Sequence, residues 1–426
     1  MKKTIKIMCL VLAVLMLMPA LFACNDNAVS EEPVSTETAG EGGTPSLKIN
    51  GVALSEYTLV YVQNDRNSVN AVSYFNEKIG EAYGIQLDFS TEVKSGNEIL
   101  FGLDGGDATI AAEFEKNPDG VLGASGDKIV LLGVNYGALC QVIDCLLNKA
   151  AGDGAAKEII LTGCEAVAVT AQSLKVMTYN ILYDMKKEGR PADCREQIVD
   201  TVLSESIDVL GTQETTADHH KYLEKNLTGY SFAVGADEEL SNYIYWKTDK
   251  FNLIKKGYFY MSDTPAKKSK YDGSNSYRTF TYAILEFKES GEQFLFVSVH
   301  ADYQAEDSVR AKQLAALTKL LPKINKDKLP IVILGDFNTT GNEVSIPSFL
   351  KDNPTIKNTA EIAQSTGNVC GTLVTGGFVT LPDYVFDYIF VTADTIATKY
   401  YSVIKNVKNG KYPSDHLPVV AELLIY

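Results

Sequence analysis

The sequence predicts an α/β protein with two folded domains behind an export signal and a polar tether. Three observations carry that expectation. Short apolar strands alternate with amphipathic helices along both halves of the chain. At 426 residues, 45% hydrophobic and 22% charged, the chain has material for a sizeable core and more than one domain. In the second half, one apolar strand after another ends on a residue able to do chemistry.

The chain opens MKKTIKIMCLVLAVLMLMPALFAC, with Lys2, Lys3 and Lys6 ahead of an apolar run too short to span a membrane comfortably. This is the pattern of a signal over 1–23. Leu21-Phe22-Ala23-Cys24 resembles a bacterial lipobox, although Phe22 is bulky for its place. The resemblance implies that lipidated Cys24 begins the mature protein and anchors it in a membrane, on the outside of the cytoplasmic membrane or at the cell surface. Residues 24–46 are rich in Ser, Thr, Glu, Gly and Pro and almost free of large apolar side chains, so they read as a flexible tether.

The formal charge of −15 argues against tight non-specific binding to nucleic acid or anionic lipid. Most of that charge belongs to the first half: from Ser173 onward 28 Lys and Arg face 32 Asp and Glu, a net of −4. Beyond Cys9 and Cys24 remain Cys140, Cys145, Cys164, Cys194 and Cys370. They show no CxxC or zinc spacing, an odd number cannot all pair, and Cys140 and Cys145 sit on apolar positions of one helix, which predicts buried free thiols.

Residues 47–165 form the first expected domain, small and α/β or α+β. TLVYVQ is a strand, and SVNAVSYFNEKIGEAYG places Val69, Ala71, Tyr74, Phe75, Ile79 and Tyr83 on a helical stripe ending at Gly84. EILFGL and KIVLLGV are further strands, and YGALCQVIDCLLNKA is a second helix. This half has no histidine and no catalytic constellation. The order of these segments loosely resembles the small domain that precedes the catalytic barrels of α-glucuronidases, which implies a spacer or glycan-facing module; packing support for the second domain is the other reading.

The second domain, 173–426, holds all four histidines and Trp246. LKVMTYNIL is an apolar strand ending near Asn180. The helix CREQIVDTVLSESI follows, with Ile198, Val202, Leu203 and Ile207 at helical spacing. DVLGTQE is a buried strand ending on Glu214, QFLFVSVHADY carries His300, and SVRAKQLAALTKLLPKI is an amphipathic helix. LPIVILGDFNTT carries Asp336 and Asn338, YVFDYIFV carries Asp387, and YPSDHLPVVAELLIY puts Asp415 and His416 before the last strand. Singly, each residue reads as a turn former, a cap or a solvated end. Together they are what an α/β protein needs to converge polar groups in one crevice. His219 and His220 belong to no such motif and are expected at the surface.

TYNIL, GTQE, SVHADY with Arg310 and Gln313 downstream, GDFN, DYIF and SDHLP, in that order, resemble the endonuclease/exonuclease/phosphatase superfamily of metal-dependent phosphoesterases. YRTFTYAILEF, with Arg278, supports the match. The resemblance covers about 174–426 and implies a four-layered α/β sandwich, two packed mixed sheets flanked by helices, with the site at one edge between them. Ser298-Val299, Ala301 and Gly371-Thr372-Leu373-Val374 depart from the usual pattern, and bear on substrate choice more than on catalysis.

Hydrolysis of a phosphate ester requires charge neutralisation, an oriented water and help for the leaving oxygen. A hard divalent cation on oxygen ligands suits the first need, so Mg²⁺, or Mn²⁺, is the expected cofactor. Residue type and resemblance together imply Glu214 and Asn180 as metal ligands, with Asp415 at a second metal or in support. They imply Asp336 as the group that orients or deprotonates water, and Asn338 as donor to a phosphoryl oxygen. His416 serves as phosphate donor or base, oriented by Asp387. His300 is donor to the phosphate or acid for the leaving oxygen, and Arg278 a phosphate contact. The expected partners are thus a phosphate-ester substrate and, through Cys24, a membrane; no stable protein partner is evident. Nucleic acid, phospholipid headgroup and small phosphomonoester all stay open as substrates. The competing expectation is a surface glycan-binding protein with an inactive phosphoesterase-like domain.

Overall fold

A computed structural model describes residues 45–152, 155–235 and 241–426. The expected signal, Cys24 and nearly all of the tether lie outside the described residues. Among the described residues no helix is long and apolar enough to cross a membrane.

The Ser46–Ala166 portion builds its own sheets and core. A six-stranded sheet runs Phe89–Ser90, Thr58–Tyr61, Glu98–Phe101, Lys128–Gly133, Gly120–Ser125, Cys164–Ala166. The helices Arg66–Tyr83 and Tyr136–Asn148 cover one face, burying Ala71, Phe75, Ile79, Val142 and Ile143 against Leu59, Ile99 and Leu131. The first helix begins where Asp65 accepts from the backbone N–H groups of Asn67 and Ser68. It ends where Gly84 turns left-handed at φ 67°. Its stripe is rotated slightly from the expected one: Val72 is buried and Val69 exposed. The helix Ala108–Lys116, capped by Asp107, is not foreshadowed by periodicity because it fully buries only Ile110. Cys140 and Cys145 are free, as expected, but half-buried rather than buried.

From Gln172 onward two mixed sheets pack face to face. One runs Tyr230–Val234, Ser241–Lys247, Val209–Thr215, Gln172–Asn180, Val419–Ile425, Ile396–Val403, Ser365–Thr366. The other runs Phe251–Tyr260, Thr279–Phe287, Gln293–His300, Ile331–Asp336, Asp387–Thr392, Ile356–Asn358. Between them lies a core that includes Leu174, Val209, Trp246, Phe294, Phe296, Leu334 and Val419. Each fully buried large side chain of this kind contributes roughly 1.5–3 kcal/mol. The helices Cys194–Ser204 and Ala217–Asn226 cover the outer face of the first sheet. Asp307–Ile324 and Ser345–Asp352 cover the outer face of the second, which completes the four layers. Of the stripe expected on Cys194–Ser204, Leu203 turns out exposed. The two portions touch where Gly137 N–H donates to Asp394 O at 2.8 Å and Tyr426 Oη to Asp119 at 2.7 Å.

Two glycines set how closely the strands approach at the site. A Cβ on Gly211 would run into Leu334 of the facing sheet, and one on Gly335 (φ +151°) into the Val299 carbonyl oxygen. That fit lets Gln293–His300 pair in parallel with Ile331–Asp336, so that His300 sits opposite Asp336. Asp336 in turn sits opposite Asp387. Three functional candidates thereby stand in a row at one edge of one sheet.

Candidate active site

The facing sheet completes the crevice. Asn180 is the last residue of its strand and is fully buried. A bulge between Thr212 and Thr215 turns Glu214 out of the ladder at φ 57°, and its side chain is half-buried. Leu182 and Asn338 also hold left-handed backbone, at φ 55° and 50°. For side chains with a Cβ this conformation costs about 1–3 kcal/mol each, and it is tolerated where a site must aim its groups.

Asp336 is the hub. Its Oδ2 accepts from Asn180 Nδ2 at 2.9 Å and Asn338 Nδ2 at 3.2 Å, and its Oδ1 from Asn338 N–H at 2.8 Å. His300 Nε2 lies 3.5 Å and His416 Nε2 3.7 Å from the same Oδ2. His416 Nδ1 donates to Asp387 Oδ2 at 2.7 Å, which fixes the ring and its tautomer. Arg278 Nη1 donates to His300 Nδ1 at 3.0 Å; a guanidinium only donates, so the His300 proton sits on Nε2 and faces Asp336.

The electrostatics separate the two histidines. Burial pushes the His300 imidazole down, with the Arg278 and His416 charges reinforcing it, so it is neutral well below its usual range. Burial also opposes charge on His416, but Asp387 and then Asp336 outweigh it and hold this ring protonated well above the usual range. Burial pushes Asp336 up to about 7, against the pull of the His416 charge and with the repulsion of Asp387.

Four expected residues take positions different from those expected. Asn180 turns its Nδ2 toward both Glu214 Oε1, at 3.2 Å, and Asp336, while its Oδ1 accepts from Leu182 N–H. It offers the carboxylates a donor rather than a metal an oxygen. Asn338 spends its Nδ2 on Ala301 O at 3.1 Å and on Asp336, so it holds the acid rather than reaching for a phosphate. Asp415 spends its carboxylate on Lys187 at 3.1 Å, with its side chain partly exposed. Arg278 is buried behind His300 instead of facing the crevice.

Sequence reasoning passed over three supports. Buried Asp302 accepts from Asn275 and Ser276 N–H beside Arg278. Thr372 Oγ1 accepts from Phe386 and Asp387 N–H at 3.0 and 3.2 Å, anchoring the start of the Asp387 strand. Arg190 is buried on backbone carbonyls. Of the departures noted in sequence, Ser298 proves structural: its Oγ accepts from Gln213 Nε2 at 3.1 Å, between the sheets.

His219 and His220 are not surface residues. Their helix lies against the sheet, so His219 points inward at 1% exposure and His220 packs between Phe232 and Tyr243. Burial pushes His219 down to about 4, below an unfolded value near 6.5. Between those values the unfolded chain binds a proton that the folded chain refuses, so stability is present above pH 6.5 and lost as pH falls. At pH 5 this residue should remove about 2 kcal/mol relative to pH 7. Urea unfolding of His219→Asn should lack that increment; an unchanged pH slope would contradict it.

The donors suit a hard cation. Oxygens and imidazoles line the crevice, Glu214 reaches it half-exposed, and Asp387 Oδ1 is buried with no hydrogen-bond partner among the described residues. Donor atoms of Asp336, Asp387 and His416 lie within 4.8 Å of one another. A protonated His416 held by Asp387 cannot ligate, however, so the half-exposed Glu214 carboxylate is the better cation ligand.

No curated protein matches the chain. Among solved structures it is similar to an endonuclease/exonuclease/phosphatase family protein from Bacteroides thetaiotaomicron, at 24% identity and TM-score 0.56, over 61% of this chain and 100% of that one. It is similar to a mannosyl-6-phosphatase of Bacteroides thetaiotaomicron VPI-5482 at 24% identity and TM-score 0.53, over 59% and 100%. A third, from Bacteroides vulgatus, has 21% identity and TM-score 0.56 over 60% and 100%. These likenesses show the fold, and the sequence profile of the Endonuclease/Exonuclease/phosphatase family matches residues 177–416, more than half of the chain. The chain belongs to the endonuclease/exonuclease/phosphatase family.

Proposed function

We propose that this chain is a divalent-metal-dependent phosphoesterase that uses water to cleave a phosphodiester or phosphomonoester, held outside the bacterial cytoplasmic membrane by a lipid on Cys24. The observation that carries the reading is the Asp387–His416–Asp336 array, set beside Glu214 where two sheets meet. An intact array of this kind also weighs against an inactive scaffold.

Glu214 would hold Mg²⁺ or Mn²⁺, which would supply charge neutralisation at the phosphoryl oxygens. Asp336 orients the attacking water and takes its proton. Asn180 and Asn338 aim that carboxylate. The His416 imidazolium donates from Nε2 toward a phosphoryl or leaving oxygen, while Asp387 keeps its charge in place. Neutral His300 contributes an Nε2–H donor, turned by Arg278. Residues 47–165 serve as packing support or spacer for this domain.

A panel of plasmid DNA, RNA, sphingomyelin, inositol phosphates and mannose 6-phosphate, each with and without Mg²⁺, tests the reading; the last is included because one similar structure is a mannosyl-6-phosphatase. The purified chain from Asn25 onward should hydrolyse at least one ester with metal, and His416→Ala should be at least roughly 10²-fold slower. Absence of hydrolysis by folded protein with either Mg²⁺ or Mn²⁺ would refute it.

A further inference from the structure

Arg190 has no part in the chemistry above, yet its guanidinium is buried and, among the described residues, spends its donors on main-chain carbonyls. Nε donates to Pro413 O at 2.8 Å, Nη1 to Leu182 O at 2.8 Å and Asp184 O at 2.9 Å, and Nη2 to Ile181 O at 2.6 Å. Three of these acceptors belong to the loop that leaves the Gln172–Asn180 strand. The fourth immediately precedes Ser414-Asp415-His416.

Each loop carries part of the site. In the first, Leu182 N–H donates to Asn180 Oδ1 at 3.1 Å and Tyr183 N–H to Glu214 Oε2 at 3.0 Å. In the second, Ser414 Oγ donates to Asn180 O at 2.7 Å and itself accepts from His416 N–H. Lys411 Nζ on Gly189 O and the Lys187–Asp415 ion pair fasten the same two segments at their outer ends.

Burial lowers the Arg190 pKa, so holding this cation here costs free energy. An apolar side chain would fill the space without that cost. What it could not do is hold diverging carbonyls of two chain segments in one plane, and neither could a lysine ammonium. We propose that Arg190 is a positioning residue that braces the Glu214 side of the crevice to the His416 side. The activity readouts of this inference rest on the phosphoesterase reading.

The test uses the full chain with Arg190→Lys and Arg190→Ala. Turnover should fall roughly 30- to 100-fold with KM changed less than about threefold, because misplacement by an ångström costs about 10² in rate. Added methylguanidine should restore part of the Arg190→Ala activity. Imidazole ¹H–¹⁵N spectra give a readout free of activity, since the chain has only four histidines. In Arg190→Lys the His416 signals, assigned through His416→Ala, should shift while those of His220, which the Arg190 charge does not reach, stay. A lysine variant with parental turnover and an unmoved His416 signal would overturn the brace. So would a loss of activity matched by loss of folded protein, with His416 unmoved in the remainder. If the parent hydrolyses no ester, the phosphoesterase reading fails, and the His416 shift still decides for or against the brace.

Discussion

Asp336→Asn is expected to lower turnover by roughly three orders of magnitude. The amide is isosteric and keeps an oxygen for Asn338 N–H, but it turns an N–H₂ toward the Asn180 and Asn338 donors and cannot take a proton from water; general-base catalysis supplies about 10²–10⁴. It also removes the negative charge beside His416 Nε2, 3.7 Å away. The sign of the stability effect follows from burial. The folded carboxyl is raised to about 7 while the unfolded one titrates near 4, so between those values the folded state holds the extra proton. Stability contributed by this group is therefore complete at low pH and declines as pH rises through 7. Without added metal, the fall in melting temperature from pH 5 to pH 8 should be smaller in Asp336→Asn than in the parent. An equal or steeper fall in the variant would mean that ionisation of this carboxyl does not oppose folding, contrary to this account.

Glu214→Gln is expected to act on metal before it acts on anything else. The side chain reaches the crevice from a bulge, accepting from Asn180 Nδ2 and Tyr183 N–H. Gln preserves the size and one acceptor oxygen but removes the charge that a hard cation requires. The Mg²⁺ concentration for half-maximal activity should rise at least tenfold, and turnover at saturating metal should fall roughly 10²-fold. A parental Mg²⁺ titration in this variant would remove Glu214 from the metal site.

Much of this site was legible because strands announce their own ends. Asn180, His300 and Asp336 each close an apolar strand, and burial of those strands brings their last residues to one edge. The pairing of His416 with Asp387, 29 positions away, came from resemblance, since nothing local in SDHLP says which acid turns to the ring. What escaped sequence reading was orientation. The bulge that aims Glu214, the turning of the Asn180 and Asn338 amides onto Asp336, and the withdrawal of Asp415 to Lys187 depend on backbone far from each residue. His219 misled for a related reason: two adjacent histidines on a helix look solvated until the sheet beneath them is in place. Arg190 was silent because its partners are carbonyls, which leave no mark in a sequence.

The decisive measurement is phosphate-ester hydrolysis by metal-stripped protein, read before and after Mg²⁺ is restored, for the parent and Asp336→Asn side by side. The parent should be inactive when stripped and active when restored, with Asp336→Asn near background in both states and folded throughout. Equal hydrolysis by the two proteins, or hydrolysis indifferent to metal, would contradict the site described.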